Sequence, residues 1–272
     1  MNRLLSVSGA AAASGRKLFC AFTTLGYPSL KKTELLIEAF AKDGVDIVEL
    51  GFPFSDPLAD GPTIQFSSEQ ALAHGVRIQH AFDLARSLRK KGVSVPLVFF
   101  TYFNPVFHYG YKTFLKKAKE AGFDAVLVPD LPPDQESGFR KEVRAQGLLQ
   151  IFLIAPTSDA RRTRMIARES EGFIYYVSLR GVTGARQALP SDIRRHLKQI
   201  KKVTKKPVLV GFGVSKPEQA NSLSAWSDGV IVGSAIIERI RKADGKIEPA
   251  IQFIREMVKA VKGAPGGRKT RP

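Results

Sequence analysis

The sequence is poor in cysteine and has no long apolar run. Cys20 is the one cysteine in 272 residues, which excludes an internal disulfide and fits a reducing compartment. Cys20 stands in the apolar stretch 18–22, so we interpret it as a buried side chain rather than a nucleophile. No apolar run approaches the roughly 20 residues that a membrane-spanning helix needs. We therefore expect no membrane span and a location in the cytoplasm.

Acidic residues are also scarce relative to basic ones. The chain has 42 Lys and Arg against 25 Asp and Glu, a net charge of +17. No RNA-recognition, zinc-finger or helix-turn-helix pattern accompanies the basic residues, so we predict no specific nucleic-acid partner. Two interpretations of the charge stay open: solvated outer faces of helices, or a weak attraction to polyanions that also steers an anionic substrate.

Short apolar, β-branched segments alternate with helical patterns along the whole chain. This alternation predicts a parallel sheet, and eight such units predict a closed (β/α)8 TIM barrel in a single domain. A doubly wound open sheet is the alternative, but no G-x-G-x-x-G follows the first strand. The predicted strands are 18–23, 45–50, 95–101, 124–128, 150–155, 173–177, 207–211 and 229–232. The predicted helices are 30–43, 63–73, 78–91, 110–121, 134–146, 158–169, 191–203, 216–224, 234–241 and 248–262.

The two ends of the chain differ from this pattern. Residues 1–16 carry Arg3 and Arg16, and no acid occurs before Glu34. This composition resembles a transit peptide, but we favour a short N-terminal helix that closes the bottom of the barrel. We assign residues 17–262 to the barrel and expect the Gly/Pro-rich basic tail 263–272 to be flexible.

Two carboxylates lie in and after the second predicted strand, within VDIVELGFPFSDPLADGPTIQ (45–65). Strand alternation places Glu49 on the same face as Val45 and Ile47. If that face lines a barrel, the carboxylate is costly to bury unless it is protonated, paired or used. Asp60 follows in a Gly/Pro/Asp-rich loop, and two such acids suit general acid–base chemistry. For Asp60, a simple turn before a helix is the alternative.

Small-residue turns end the seventh and eighth predicted strands, at 211–215 and 233–235. Glycine lets the backbone approach an anion, and helix N-termini offer free N–H groups. Paired at these two positions of a barrel, such turns predict a phosphate site, although tight turns that need glycine only for geometry remain possible. Apolar side chains at the same end of other strands suggest that a flat ring binds above the barrel. They are Phe22, Phe100, Tyr102, Leu127 and Tyr175.

The segment ELGFPFSDPLADGPTIQ (49–65) closely resembles the α subunits of tryptophan synthase. The resemblance extends over about residues 17–259 and includes TYFNPVFHYG, LVPDLPPDQ, SLRGVTGAR and VGFGVSKPEQ in the same order. It implies a lyase of tryptophan biosynthesis, which cleaves indole-3-glycerol phosphate by a retro-aldol reaction to indole and glyceraldehyde 3-phosphate.

The resemblance also implies roles for individual residues. Glu49 matches the proton shuttle, Asp60 the partner of the indole N–H, and Thr183 the residue that hydrogen-bonds that aspartate when its loop closes. The indole pocket corresponds to Phe22, Phe100, Tyr102, Leu127 and Tyr175. The phosphate-binding turns correspond to Gly184, Phe212, Gly213, Gly233 and Ser234.

The resemblance further implies a partner, a pyridoxal-phosphate-dependent β subunit in an α2β2 heterotetramer. The contact would involve the loops after the second and third strands, at Pro53, Asp56, Asn104, Pro105 and Phe107. Loop rigidity is the other interpretation of the two prolines. No lysine of this chain lies in a recognisable pyridoxal motif, so we expect no cofactor in this chain. We also expect no metal site.

Two rival functions remain at this stage. A standalone indole-3-glycerol phosphate lyase would carry the same acids and release free indole. A non-catalytic regulatory partner of a β subunit would not need them, so the presence of Glu49 and Asp60 argues against it.

Overall fold

A computed structural model describes residues 2–177, 192–211 and 213–263. Its strands are β1 (Leu18–Thr24), β2 (Ile47–Gly51), β3 (Leu97–Phe100), β4 (Ala125–Leu127), β5 (Leu149–Ile151), β6 (Leu153–Ile154), β7 (Ile174–Val177), β8 (Val208–Gly211) and β9 (Gly229–Val232). They form one parallel sheet in the order β5-β4-β3-β2-β1-β9-β8-β7-β6. The edge strands β5 and β6 belong to one stretch interrupted at Phe152, so the sheet is a barrel with eight strand positions. The predicted TIM barrel is confirmed.

Helices surround the sheet. They are α1 (Arg3–Ser14), α2 (Leu30–Lys42), α3 (Pro62–Ala73), α4 (Ile78–Lys90), α5 (Phe103–Tyr109), α6 (Tyr111–Ala121), α7 (Ser137–Ala145), α8 (Ala160–Glu169), α9 (Ile193–Val203), α10 (Pro217–Ser224), α11 (Ser234–Lys242) and α12 (Glu248–Lys262). The sequence did not predict α5, because Pro105 suggested a loop. Pro105 is the third residue of α5, within the first turn, where a missing N–H costs nothing. In the described part of the chain, no helix is long and apolar enough to cross a membrane.

The barrel interior is filled by side chains from alternate strand positions. Cys20, Ile47 and Val98 belong to this inner core, while Phe19 and Phe99 lie in the larger core between the sheet and the helices. Both faces of β1 are buried, as in other parallel sheets covered by helices, so the strand is almost continuously apolar.

The N-terminal helix α1 packs at the base of the barrel, as expected. Leu4 is fully buried and joins the inner core. The side-chain amide of Asn2 donates to the carbonyl oxygen of Asp124, just before β4, at 2.8 Å. These contacts leave the opposite end, where the strands finish, open to ligands. Residues 264–272 of the expected tail lie outside the described residues.

Candidate active site

Glu49 lies in the middle of β2 and is a buried carboxyl group. It is opposite Phe22 of β1 and Val98 of β3 and is only 1% exposed. Its Oε1 atom has no hydrogen-bond partner among the described residues. Burial raises the pKa of Glu49 to about 8, against a smaller opposing effect of a hydrogen bond with the Cys20 thiol. The group is therefore mainly protonated at neutral pH, in a place where an ionised carboxylate would be costly.

This raised pKa predicts that Glu49 destabilises the fold as pH increases. Between the ordinary value of 4.5 and about 8, the unfolded chain has lost the proton that the folded chain retains, so stability falls as pH rises. Glu49→Gln does not ionise, and we expect it to raise the free energy of unfolding by on the order of 3 kcal/mol at pH 7. Urea unfolding of both proteins at pH 5, 7 and 8 measures this gain.

The matched control is Glu120→Gln, since the Glu120 side chain is 58% exposed on α6. Its effect should be small at every pH. A Glu49→Gln gain that does not grow between pH 5 and pH 8 would contradict the buried-acid interpretation.

Asp60 lies in the loop between β2 and α3 and is half-buried. Burial raises the pKa of Asp60 to about 6, although a hydrogen bond with the Tyr102 side chain lowers it. The Tyr102 hydroxyl also accepts the Ala59 N–H at 2.9 Å, and the Tyr102 ring lies 5.4 Å from that of Phe54. Tyr102 thus holds the loop that carries Asp60. With a pKa of about 6, Asp60 is mainly ionised at neutral pH.

One cavity of about 530 Å³ joins the two acids. This volume is within the usual range for small-molecule sites. Phe22 and Phe100 line it and meet edge to face, with ring centroids 5.5 Å apart. Tyr175 lines another side. The structure therefore brings Glu49, Asp60 and these three aromatic residues to one space.

Two residues expected in the indole pocket lie behind the aromatic residues that line the cavity. Leu127 is fully buried in the inner core, opposite Phe100 in the strand register. Tyr102 is 3% exposed and contacts the Asp60 loop rather than the cavity surface. Both support residues that line the cavity, and neither is among the lining residues themselves.

Two glycines make room for the aromatic walls: Gly51, which sequence reasoning missed, and Gly211, which it assigned only to a predicted phosphate turn. A Cβ atom on Gly51 would lie 2.4 Å from Cζ of Phe22, and one on Gly211 would lie 2.3 Å from the hydroxyl oxygen of Tyr175. Both distances are too short for real contacts. The sequence signal that could have indicated this role was their place at the ends of β2 and β8. A lumen position without a side chain leaves space for a ring from a neighbouring strand.

The predicted phosphate turns open onto the same cavity, which Gly213, Gly233 and Ser234 line. Gly213 has a φ of +77°, in the left-handed region that favours glycine. Helix α11 starts at Ser234 with no side-chain cap, and its first internal donor is the N–H of Ile236, to the Gly233 carbonyl at 2.8 Å. The N–H groups of Ser234 and Ala235 thus precede the helix's own hydrogen bonds and suit an anion. Thr183, Gly184 and Phe212 lie outside the described residues.

Charged side chains form the outer wall next to these turns. Lys216, Glu238, Arg241 and Lys242 all line the cavity. Sequence reasoning left two interpretations of the basic residues open, solvated helix faces or steering of an anionic substrate, and it singled out none of these four. The missed signal was spacing, because Glu238 and Arg241 follow Ser234 by 4 and 7 residues, on one face of α11.

The residues expected at a partner interface differ in exposure. Asp56, Asn104 and Phe107 are exposed, Phe107 by 65%, while Pro105 is half-buried and Pro53 is buried. Leu58, which sequence reasoning did not single out, is 93% exposed in the loop after β2. Within residues 2–177, 192–211 and 213–263, no group of three or more His, Cys, Asp or Glu side chains could hold a metal ion.

Comparison with known proteins agrees with this geometry. The family model for the tryptophan synthase alpha chain matches residues 9–264. A tryptophan synthase alpha chain from Dehalococcoides mccartyi is 44% identical over 242 residues, covering 89% of this chain and 94% of the relative. One from a Thermoanaerobacter species is 41% identical, covering 96% and 99%.

Solved structures show the same likeness. The tryptophan synthase alpha subunit of Legionella pneumophila superposes with a TM-score of 0.89 at 34% identity, covering 97% of this chain and 99% of that one. A chain of Mycobacterium tuberculosis tryptophan synthase gives 0.88 at 32% identity, covering 96% and 98%. Membership of this family implies a complex with a β subunit. The chain belongs to the tryptophan synthase alpha chain family, and its activity is the lyase cleavage of indole-3-glycerol phosphate.

Proposed function

We propose that Glu49 is the proton shuttle of the cleavage and that Asp60 stabilises the charge that develops on the indole ring. The observation that supports this division is the pKa order inside one cavity, about 8 for Glu49 and about 6 for Asp60. Near neutral pH one group is a neutral acid and the other an anion. Such separated pKa values are how a site assigns acid and base roles to two carboxyl groups.

Each acid then has a definite task in the reaction. The bond between indole C3 and the glycerol chain breaks after C3 gains a proton, which makes the ring an electron acceptor. Glu49 starts protonated and supplies that proton. The resulting carboxylate takes the proton of the glycerol hydroxyl as the aldehyde forms, so Glu49 returns to its starting state. Asp60, next to the ring N–H, stabilises the positive charge of the protonated ring.

With the reacting bond near Glu49 and Asp60, the indole ring and the phosphate of the substrate would lie along other parts of the cavity wall. The indole ring would lie against Phe22, Phe100 and Tyr175, with Leu127 and Tyr102 supporting the wall and the Asp60 loop. The phosphate would lie at Gly213, Gly233 and Ser234. The predicted roles of Thr183, Gly184 and Phe212 belong to this proposal but fall outside the described residues.

We also propose that this chain works in an α2β2 heterotetramer in the cytoplasm, without a cofactor of its own, and that pyridoxal phosphate resides in the β subunit. Phe107, 65% exposed next to the active-site end of the barrel, supports a contact there, because large apolar side chains at a surface are typical of interfaces. Asn104 and Asp56 are exposed beside it and would belong to the same contact. Pro53 and Pro105 would shape these loops.

Indole release from indole-3-glycerol phosphate, with and without a β subunit, tests the proposal. Slow turnover that the β subunit accelerates is the expected result. Fast turnover by the chain alone would instead favour a standalone lyase. No cleavage in either mixture, together with a rise in β-subunit activity, would favour the regulatory role.

The phosphate site predicts a specific loss in Gly213→Val. A side chain there would occupy the space that phosphate must approach, so binding of indole-3-glycerol phosphate and of glyceraldehyde 3-phosphate should both weaken, by roughly 10-fold or more. Gly75→Val is the control, since Gly75 has a similar φ of +72° but open space around its Cβ position. Calorimetric titration of both variants decides the matter. If both bind the two ligands as the unmodified protein does, the cradle is excluded.

A further inference from the structure

Helix α11 carries a carboxylate on the same face as the proposed phosphate site. Ser234, Glu238 and Arg241 are spaced as one helix face, and all three line the cavity. Because a helix rises 1.5 Å per residue, Glu238 lies roughly 6 Å along the axis from Ser234. A negative charge so close to an anion site requires an explanation.

Glu238 is paired with two cations through one of its oxygens. Its Oε1 atom is 2.9 Å from Nη2 of Arg241 and 3.5 Å from Nζ of Lys242. Its Oε2 atom is buried and has no hydrogen-bond partner among the described residues. The Arg241 guanidinium also lies over the ring of Phe66, 5.5 Å from its centroid. The carboxylate thus offsets part of the positive charge that Arg241 and Lys242 bring to the cavity wall.

Glu238 is an anion at neutral pH. Burial acts to raise its pKa, but the hydrogen bond and charge of Arg241, together with Lys242, outweigh burial and lower the pKa. These three side chains together carry a net charge of about +1, whereas the two cations alone would carry about +2. Lys216 and Arg239 also line the cavity and add about +2 in either case.

We propose that Glu238 sets the phosphate affinity of this site, by holding Arg241 and Lys242 in ion pairs and by opposing the anion at the start of α11. The inference rests on the proposed phosphate site at Gly213, Gly233 and Ser234. Its consequence is weaker retention of both substrate and phosphorylated product, so Glu238 favours product release at the expense of affinity. The axial separation of roughly 6 Å between Ser234 and Glu238 is shorter than the Debye length of about 8 Å at physiological salt, so salt screens a charge at Glu238 only in part.

Titration calorimetry with inorganic phosphate and with glyceraldehyde 3-phosphate tests this role. We expect Glu238→Gln to bind both ligands roughly 3- to 10-fold more tightly at low salt, and the gain to shrink as sodium chloride is added. Arg241→Gln should weaken binding, because the negative charge of Glu238 then has only Lys242 as an ion-pair partner. The double variant should bind with near-original affinity, because one charge of each sign is removed.

Glu120→Gln controls for overall charge, since it removes one negative charge from the outer helix α6 and should leave phosphate affinity unchanged. Unchanged or weaker binding by Glu238→Gln would overturn the inference while leaving the phosphate site intact. An unmodified protein that binds neither ligand would instead overturn the phosphate site, and the inference with it. An equal gain in Glu120→Gln would show that net charge, and not Glu238, controls affinity.

Discussion

Glu49→Gln is expected to lower the turnover of indole-3-glycerol phosphate by at least roughly 1,000-fold, because general acid–base catalysis by one group contributes about 10²–10⁴ and this group serves two proton transfers. Glutamine keeps the size and shape of the side chain in the β2 wall but can neither give nor take the proton. Single-turnover indole release by the purified chain, with and without a β subunit, measures the loss.

Binding must be measured on the same variant. Glyceraldehyde 3-phosphate should bind Glu49→Gln with unchanged affinity, because the phosphate turns at Gly213 and Gly233 follow β8 and β9, whereas Glu49 lies on β2. The gain in stability predicted above would show in addition that the fold is intact. Turnover within about 10-fold of the original would sink the assignment of Glu49 as the shuttle.

Asp60→Asn is expected to lower turnover by roughly 100- to 1,000-fold, since removing one electrostatic stabiliser of a charged transition state typically has that effect. In the unmodified protein, kcat/KM should fall below about pH 6, where Asp60 gains a proton, and above about pH 8, where Glu49 loses one. The variant should lose the acid limb and retain the alkaline one. A pH–rate profile of both proteins checks this.

Asp83→Asn is the charge-matched control for Asp60→Asn. Asp83 is 56% exposed on α4 and pairs with Arg86, so its loss should leave both limbs in place. An acid limb that survives in Asp60→Asn would assign that limb to another group and leave Asp60 with a structural role.

Local sequence patterns predicted the fold well, because the spacing of apolar residues within a segment reflects which face of that segment is buried. Apolar β-branched runs alternating with helical periods indicated eight strand positions, and the structure confirms them. Strand alternation placed Glu49 on the same face as Ile47, and Ile47 does belong to the inner core. Val45, expected on that face too, precedes β2 and belongs to the core between the sheet and the helices. The helix α5 escaped prediction because proline usually interrupts helices, and its tolerance in a first turn depends on where the helix starts.

Contacts between distant segments were beyond such patterns. The positions of Leu127 in the inner core and of Tyr102 behind Asp60 depend on how β3, β4 and the Asp60 loop approach one another. Gly51 and Gly211 acquired their meaning only from rings on neighbouring strands. The ion pairs of Glu238 mattered only once α11 was seen to line the cavity.

The sequence by itself determined the parallel barrel and placed two acids in and after its second strand, because periodicity and turn chemistry are properties of adjacent residues. Only the tertiary structure decided how far the pKa of each acid is raised. The pKa of a carboxyl group depends on the depth of burial and on neighbours from other strands and loops, and in this protein these place Glu49 near 8 and Asp60 near 6.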